Sequence, residues 1–267
     1  MRAIKPLAAL FLAMAPLGAQ VITVQPSGSA PVTETRTVPL PSGSRLKVEN
    51  LNGPIKVEAW DRTEVQFTGA FKASSEGEQV QVVLEPVSGG LEIRGVYPKR
   101  HGTGFYRGPQ CDMTLKVPRQ VRPSLETVNG AIELKGTEGE ATLSTVNGGL
   151  TAKDLSEALE ARTTNGSIDL DRVAGPLNLH TVNGSIQGSG LDGKGGGIKA
   201  GTVNGGIHLR LTGLKGHLKA STVNGRIAFK AQGAGQVEVA KHHVRAAFPG
   251  GDQAIDLSTV NGAITLD

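Results

Sequence analysis

Three groups of residues in this chain are of types that perform chemistry. Glu133, Asp169 and Asp171 are carboxylates placed to stack on one outer face. Glycoside hydrolysis uses two carboxyl groups about 5–9 Å apart, one to protonate the leaving group and one to activate water or attack. The positions equivalent to Asp169 in the adjacent copies of a repeat hold Thr151 and Gln187, however, so the pattern reads as a solvated polar face. His242-His243 is the histidine pair, with His208 and His217 as further candidates. Zinc needs three or four convergent ligands, and no Cys or carboxylate spacing supplies them, so neither metal nor cofactor is expected. The third group runs from Tyr97 to Arg107 and holds Tyr97, Arg100, His101, Phe105, Tyr106 and Arg107. Aromatic and Arg side chains together are typical of binding hot spots, which makes these six the candidates for contact with a partner or glycan. The plainer reading is a surface loop between two strands.

Other signatures are missing. There is no Gly-x-Ser-x-Gly, His-Glu-x-x-His or phosphate-loop pattern. Asn165-Gly166-Ser167 and Asn183-Gly184-Ser185 match a glycosylation acceptor but read as turn residues. The one cysteine, Cys111, alternates with Met113, Leu115 and Val117 and reads as a buried strand residue that forms no internal disulfide.

What must position these residues is a repeat. Thr127-Val128-Asn129-Gly130 recurs with its asparagine at 147, 165, 183, 204, 224 and 261, and Asn50-Leu51-Asn52-Gly53 is an earlier relative. The first three steps are 18 residues each, the next two are 21 and 20, and the last is 37. That last gap suggests a degenerate corner near Lys241-His242-His243. Three residues after the asparagine stand Ile55, Ile132, Leu150, Ile168, Ile186, Ile207, Ile227 and Ile264; four before it stand Leu125, Leu143, Ala161, Leu179, Ala200, Ala220 and Leu257. Polar residues lie between, so each repeat supplies two short strands with one buried face each.

Two all-β architectures fit. One is a parallel β-solenoid of roughly 18–20-residue coils with the Asn-Gly pairs as corners. The other is an antiparallel meander or barrel in which they are hairpin tips. Stacked coils place like residues about 4.8 Å apart, which permits Asn and Thr ladders and explains the nearly constant period. In either case Asn and Gly suit a left-handed corner. The irregular steps mark bulges such as Gly193 to Gly197. The turn asparagines are then Asn52, Asn129, Asn147, Asn165, Asn183, Asn204, Asn224 and Asn261.

Residues 1–19 read as a signal peptide: Arg2 and Lys5 precede an apolar run from Leu7 to Leu17, with small residues at 18 and 19. Residues 20–32 read as a flexible leader, 33–118 as the opening β section and 119–267 as the repeat solenoid. No second apolar stretch reaches membrane-spanning length. The formal net charge of +4 is weak grounds for nucleic acid. Charge is uneven: Glu126 to Asp171 holds nine acids and three bases, whereas Lys199 to Arg245 holds eight bases and one acid. A solenoid that follows sequence order would be electrically polar, could associate end to end, and would expose its last strand as an open edge.

The run Leu46-Lys47-Val48-Glu49-Asn50-Leu51-Asn52-Gly53-Pro54-Ile55-Lys56-Val57 with Trp60-Asp61, the strand Met113-Thr114-Leu115-Lys116-Val117-Pro118, and the Thr-Val-Asn-Gly-x-Ile series resemble the DUF4097 adhesin-like family and its head-GIN relatives. The resemblance implies a β-solenoid in an envelope or surface setting and carries over no catalytic residue. Taken together, the sequence points to an exported protein, periplasmic or at the cell surface, that acts without turnover and contacts an envelope protein or surface glycan. The alternatives are a carbohydrate-active enzyme on the same scaffold and a periplasmic signalling partner.

Overall fold

The computed structural model describes residues 18–24, 30–75, 77–99, 108–211, 215–230 and 234–267. The apolar run at 7–17 lies outside them. Among the described residues the elements are all strands, in one sheet of 13 and one of 11 whose inner faces share a core. Each repeat gives one strand to each sheet. Arg122–Asn129 joins the larger sheet and Ile132–Lys135 the smaller, and the next repeat lays Ala141–Asn147 and Leu150–Leu155 beside them in parallel. Because neighbouring copies run parallel and Asn-Gly connects the two sheets, the chain is a solenoid and not a set of hairpins. The inward alternation stacks Leu125, Leu143, Ala161, Leu179 and Ala200 on one side and Ile132, Leu150, Ile168, Ile186 and Ile207 on the other, all buried. Each leucine or isoleucine among them contributes about 1.5–3 kcal/mol only when its neighbours cover it, so stability is shared between coils.

The corner explains the motif. Each coil is identified below by its corner asparagine. Asparagine Nδ2 donates to the Oδ1 of the asparagine in the neighbouring coil, at 2.8–2.9 Å, in an unbroken series through 52, 129, 147, 165, 183, 204, 261 and 224. The threonines are buried and form no ladder of their own. Thr145 Oγ1 instead donates to Gly130 O, and Thr163, Thr181 and Thr202 repeat the bond one coil further each time. Glycine follows asparagine for a reason other than a left-handed backbone. Among the corner glycines only Gly53 has a positive φ. A Cβ on Gly148, Gly166 or Gly184 would instead lie 1.9–2.0 Å from the preceding coil's glycine carbonyl oxygen. The left-handed positions stand at the opposite corner: Gly136, Asp154, Arg172 and Gly190, with φ of 51–77°. There Arg172 Nε bonds Asp154 Oδ1 at 2.7 Å.

Spatial order departs from sequence order at both ends. The strands Ala254–Asn261 and Ile264–Leu266 are inserted between the Asn204 and Asn224 coils. The cause is a hairpin, Gln236–Ala240 with His243–Phe248, which pairs antiparallel with Gly216–Asn224 and turns the chain back toward the stack. Lys241-His242 is therefore a hairpin tip and no degenerate corner, and the last repeat is an interior coil with no open edge. The opening section mirrors this. The Arg45–Glu49 and Ile55–Trp60 strands lie between the Asn129 coil and the later strands Gly90–Val96 and Gln110–Pro118.

Insertion also blunts the charge gradient expected from the sequence. Asp256 sits between Lys199 and Lys219, and Asp267 bonds Lys230 at 2.8 Å. The segment expected to be a flexible leader contains a strand, Gln20–Thr23, because Ile22 and Val24 find cover against Gln81–Val87. The Gly193–Gly197 bulge is present, with left-handed glycines at 193, 195 and 197 and a register shift just before it.

Candidate functional site

Of the six contact candidates, Arg100, His101, Phe105, Tyr106 and Arg107 lie outside the described residues. Tyr97 is described, and its hydroxyl is turned inward. It donates to Asn50 Oδ1 at 2.5 Å and lies 2.9 Å from Asn52 O. Burial pushes its phenol up to about 12. Asn52 Nδ2 reaches Pro109 O at 3.4 Å, so the flanks of the 100–107 segment close the first end of the asparagine ladder. Cys111 is fully buried beside them, and its burial raises the thiol to about 12.

The acidic candidates do not converge. Glu133 pairs with Lys56 at 3.2 Å and Asp171 with Arg172 at 2.5 Å, while Asp169 stands between Thr151 and Gln187 in the stack. The histidines are dispersed as well. His208 is 3.5 Å from Asp267 on the smaller sheet, and His243 is 3.3 Å from Glu238 on the larger. Among the described residues no three His, Cys, Asp or Glu side chains gather as metal ligands.

A continuous surface channel lies on the outer face of the larger sheet. Two rows of outward residues cross four consecutive strands there. One is Glu160, Asn178, Lys199 and Asp256; the other is Arg162, His180, Gly201 and Ser258. Gly201 interrupts the second row and leaves a groove of about 710 Å³. The backbone does not require glycine at 201: an added Cβ would rest 3.4 Å from His180 Nδ1 and Ser258 Oγ, which is ordinary contact. A second groove of about 530 Å³ adjoins it and shares Asn178, Lys199 and Asp256. Arg162 is tied to Glu160 at 2.7 Å. The surface thus offers donors, acceptors and both charges along a shallow channel, with Val203 and Val260 as its apolar margin. The sequence signal for it was the glycine at 201, where other copies carry Glu, Ser, Arg or His. The approach of Asp256 and Ser258 was hidden by the insertion.

This two-sheet solenoid with its Thr-Val-Asn-Gly corners belongs to a recognised class. The family model described as Toastrack DUF4097 matches residues 33–267, and the chain belongs to that family. No curated protein matches the chain. Among solved structures it is similar to a "putative adhesin" of Bacteroides fragilis, at 11% identity and a TM-score of 0.44, covering 92% of this chain and 100% of that one. It is also similar to a "putative cell adhesion protein" of Clostridium sporogenes, at 13% identity and a TM-score of 0.42, covering 88% and 98%. A "putative lipid binding protein" of Parabacteroides distasonis follows at 12% identity and a TM-score of 0.30, covering 88% and 96%. Likenesses this distant say nothing of ligand.

Proposed function

We propose that the chain is an exported, non-enzymatic interaction protein of the cell envelope, and that it holds an extended polar polymer, a surface glycan, along the outer face of its larger sheet. The observation that carries the reading is the channel across the 165, 183, 204 and 261 coils. It is open and continuous over two grooves, with polar and charged side chains set among apolar wall atoms, which suits a chain of repeating units better than an enclosed metabolite. Lys199, His180 and Arg162 offer donors to hydroxyl and carboxylate oxygens, and Asn178 and Asp256 accept from hydroxyls. The dispersed acids favour retention over hydrolysis. The charged run before the apolar segment at 7–17 supports export. Among the described residues no helix is long and apolar enough to cross a membrane.

The test is a glycan array and envelope-fraction binding assay on the purified chain, with Gly201→Trp to fill the channel. Position 201 faces outward on a strand, so the variant should melt like the parent and lose binding. Retained glycan binding in a folded Gly201→Trp protein would remove the channel from the account. Retained binding in both Gly201→Trp and Lys199→Ala would remove this sheet face altogether.

A further inference from the structure

Asn-Gly is the dipeptide most prone to spontaneous deamidation, because glycine leaves its backbone nitrogen unhindered beside the asparagine amide. This chain contains eight such pairs. In seven the stack holds both reacting groups. The glycine N–H at 53, 130, 148, 166, 184, 205 and 262 donates to the corner asparagine carbonyl of an adjacent coil at 2.8–3.2 Å. The asparagine side chain of each of these pairs donates from Nδ2 and accepts at Oδ1.

The eighth pair is different. Asn224 is the last rung: its Nδ2 donates to Asn261 Oδ1 at 2.9 Å, and among the described residues its own Oδ1 and the Gly225 N–H have no partner. The hairpin that covers this end stops short. Its tip carbonyl, His242 O, accepts from Thr222 N at 3.0 Å and reaches no further along the strand. Val223 is left 61% exposed, and Gly225 is the exposed glycine among the eight.

We infer that Asn224-Gly225 is a self-modification site, and that the solenoid confines deamidation to it by locking the other seven pairs. In the step, the Gly225 nitrogen attacks Asn224 Cγ. A C–N bond forms, the Cγ–Nδ2 bond breaks, and ammonia leaves with the proton taken from the backbone nitrogen. Water then opens the cyclic imide to aspartate or isoaspartate. Either product replaces a donor to Asn261 Oδ1 with a carboxylate, so the last rung is lost. Isoaspartate also lengthens the main chain where Gly262 N bonds Asn224 O at 3.2 Å. The site is thus a clock that loosens the outermost coil with age.

The experiment is peptide-level mass spectrometry of the full chain incubated warm in mildly alkaline buffer, folded and in urea. In urea all eight asparagines should convert and supply the intrinsic rates. In the folded protein Asn224 should stay near its urea rate. The other seven should slow by about tenfold or more, since each must first break two or more hydrogen bonds. Equal rates at all eight in the folded state, or Asn224 slowed as much as Asn165 and Asn183, would overturn the inference. Hydrogen exchange on Asn224→Asp gives a second readout. Loss of protection confined to residues 216–229 supports the consequence; unchanged protection there removes it.

Discussion

Substituting Gly166 by alanine tests the corner directly. Its Cβ would meet Gly148 O at 1.9 Å and Gly148 C at 2.5 Å, both backbone atoms that cannot rotate aside. Ordinary contact needs about 3.4 Å or more, so the Asn147 and Asn165 coils must part by roughly 1.5 Å. Three hydrogen bonds cross that gap: Thr163 Oγ1 to Gly148 O at 2.9 Å, Asn165 Nδ2 to Asn147 Oδ1 at 2.8 Å and Gly148 N to Asn165 O at 3.0 Å. At about 1 kcal/mol net for each, their loss costs about 3 kcal/mol. Residual overpacking adds about 1–3 kcal/mol, and the stiffer unfolded chain returns about 0.5–1 kcal/mol, leaving roughly 3–5 kcal/mol of destabilisation. The matched control is Gly149→Ala, just after the corner glycine of the preceding coil, whose Cβ would meet only Ser167 O at 3.4 Å and which should change stability by less than about 0.5 kcal/mol. Urea unfolding followed by circular dichroism reads both variants. If Gly166→Ala costs no more than Gly149→Ala, the close-approach account of the motif is wrong.

Further outcomes follow from other positions. Asn183→Asp should cost about 1–2 kcal/mol at neutral pH, because its carboxylate faces Asn165 Oδ1; the deficit in urea midpoint should shrink below about pH 4, where the protonated acid can donate. Tyr97 and Cys111 have folded pKa values raised to about 12 from ordinary values of 10.0 and 9.0. Their contributions are complete below those ordinary values and fade as pH climbs toward about 12, so stability should fall across that window, and less steeply in Tyr97→Phe and Cys111→Ala. Removing residues 254–267 should strip exchange protection from 198–229, since the missing strands are bonded on both sides. A protein that lost protection only next to the cut would contradict the inserted arrangement.

The repeat was legible because one coil turns through one period, so Asn129, Asn147, Asn165 and Asn183 recur at 18 residues and their apolar neighbours follow. What sequence order concealed was depth in the stack. Val237, Val239, Val244 and Ala246 alternate as any coil strand would, yet they form an antiparallel hairpin, and Val239 is 69% exposed. Nothing local separates a strand that extends a pile from one that folds back over it; the difference lies in which edge is vacant when it arrives. The glycine rule was misread for a related reason. Asn-Gly signals a tight turn, but the steric demand here comes from a carbonyl on a different coil.

The insertion of the last repeat has a temporal consequence. Synthesis delivers the Asn204 and Asn224 segments well before the Asn261 segment that must separate them. Until residues 254–267 arrive, the correct neighbours of Ile198–Asn204 and Gly216–Asn224 do not exist, and the 20-residue step between these two invites them to pair directly. A chain still emerging from the ribosome therefore cannot finish this end of the stack. The arrangement delays completion of this end until residues 254–267 are present.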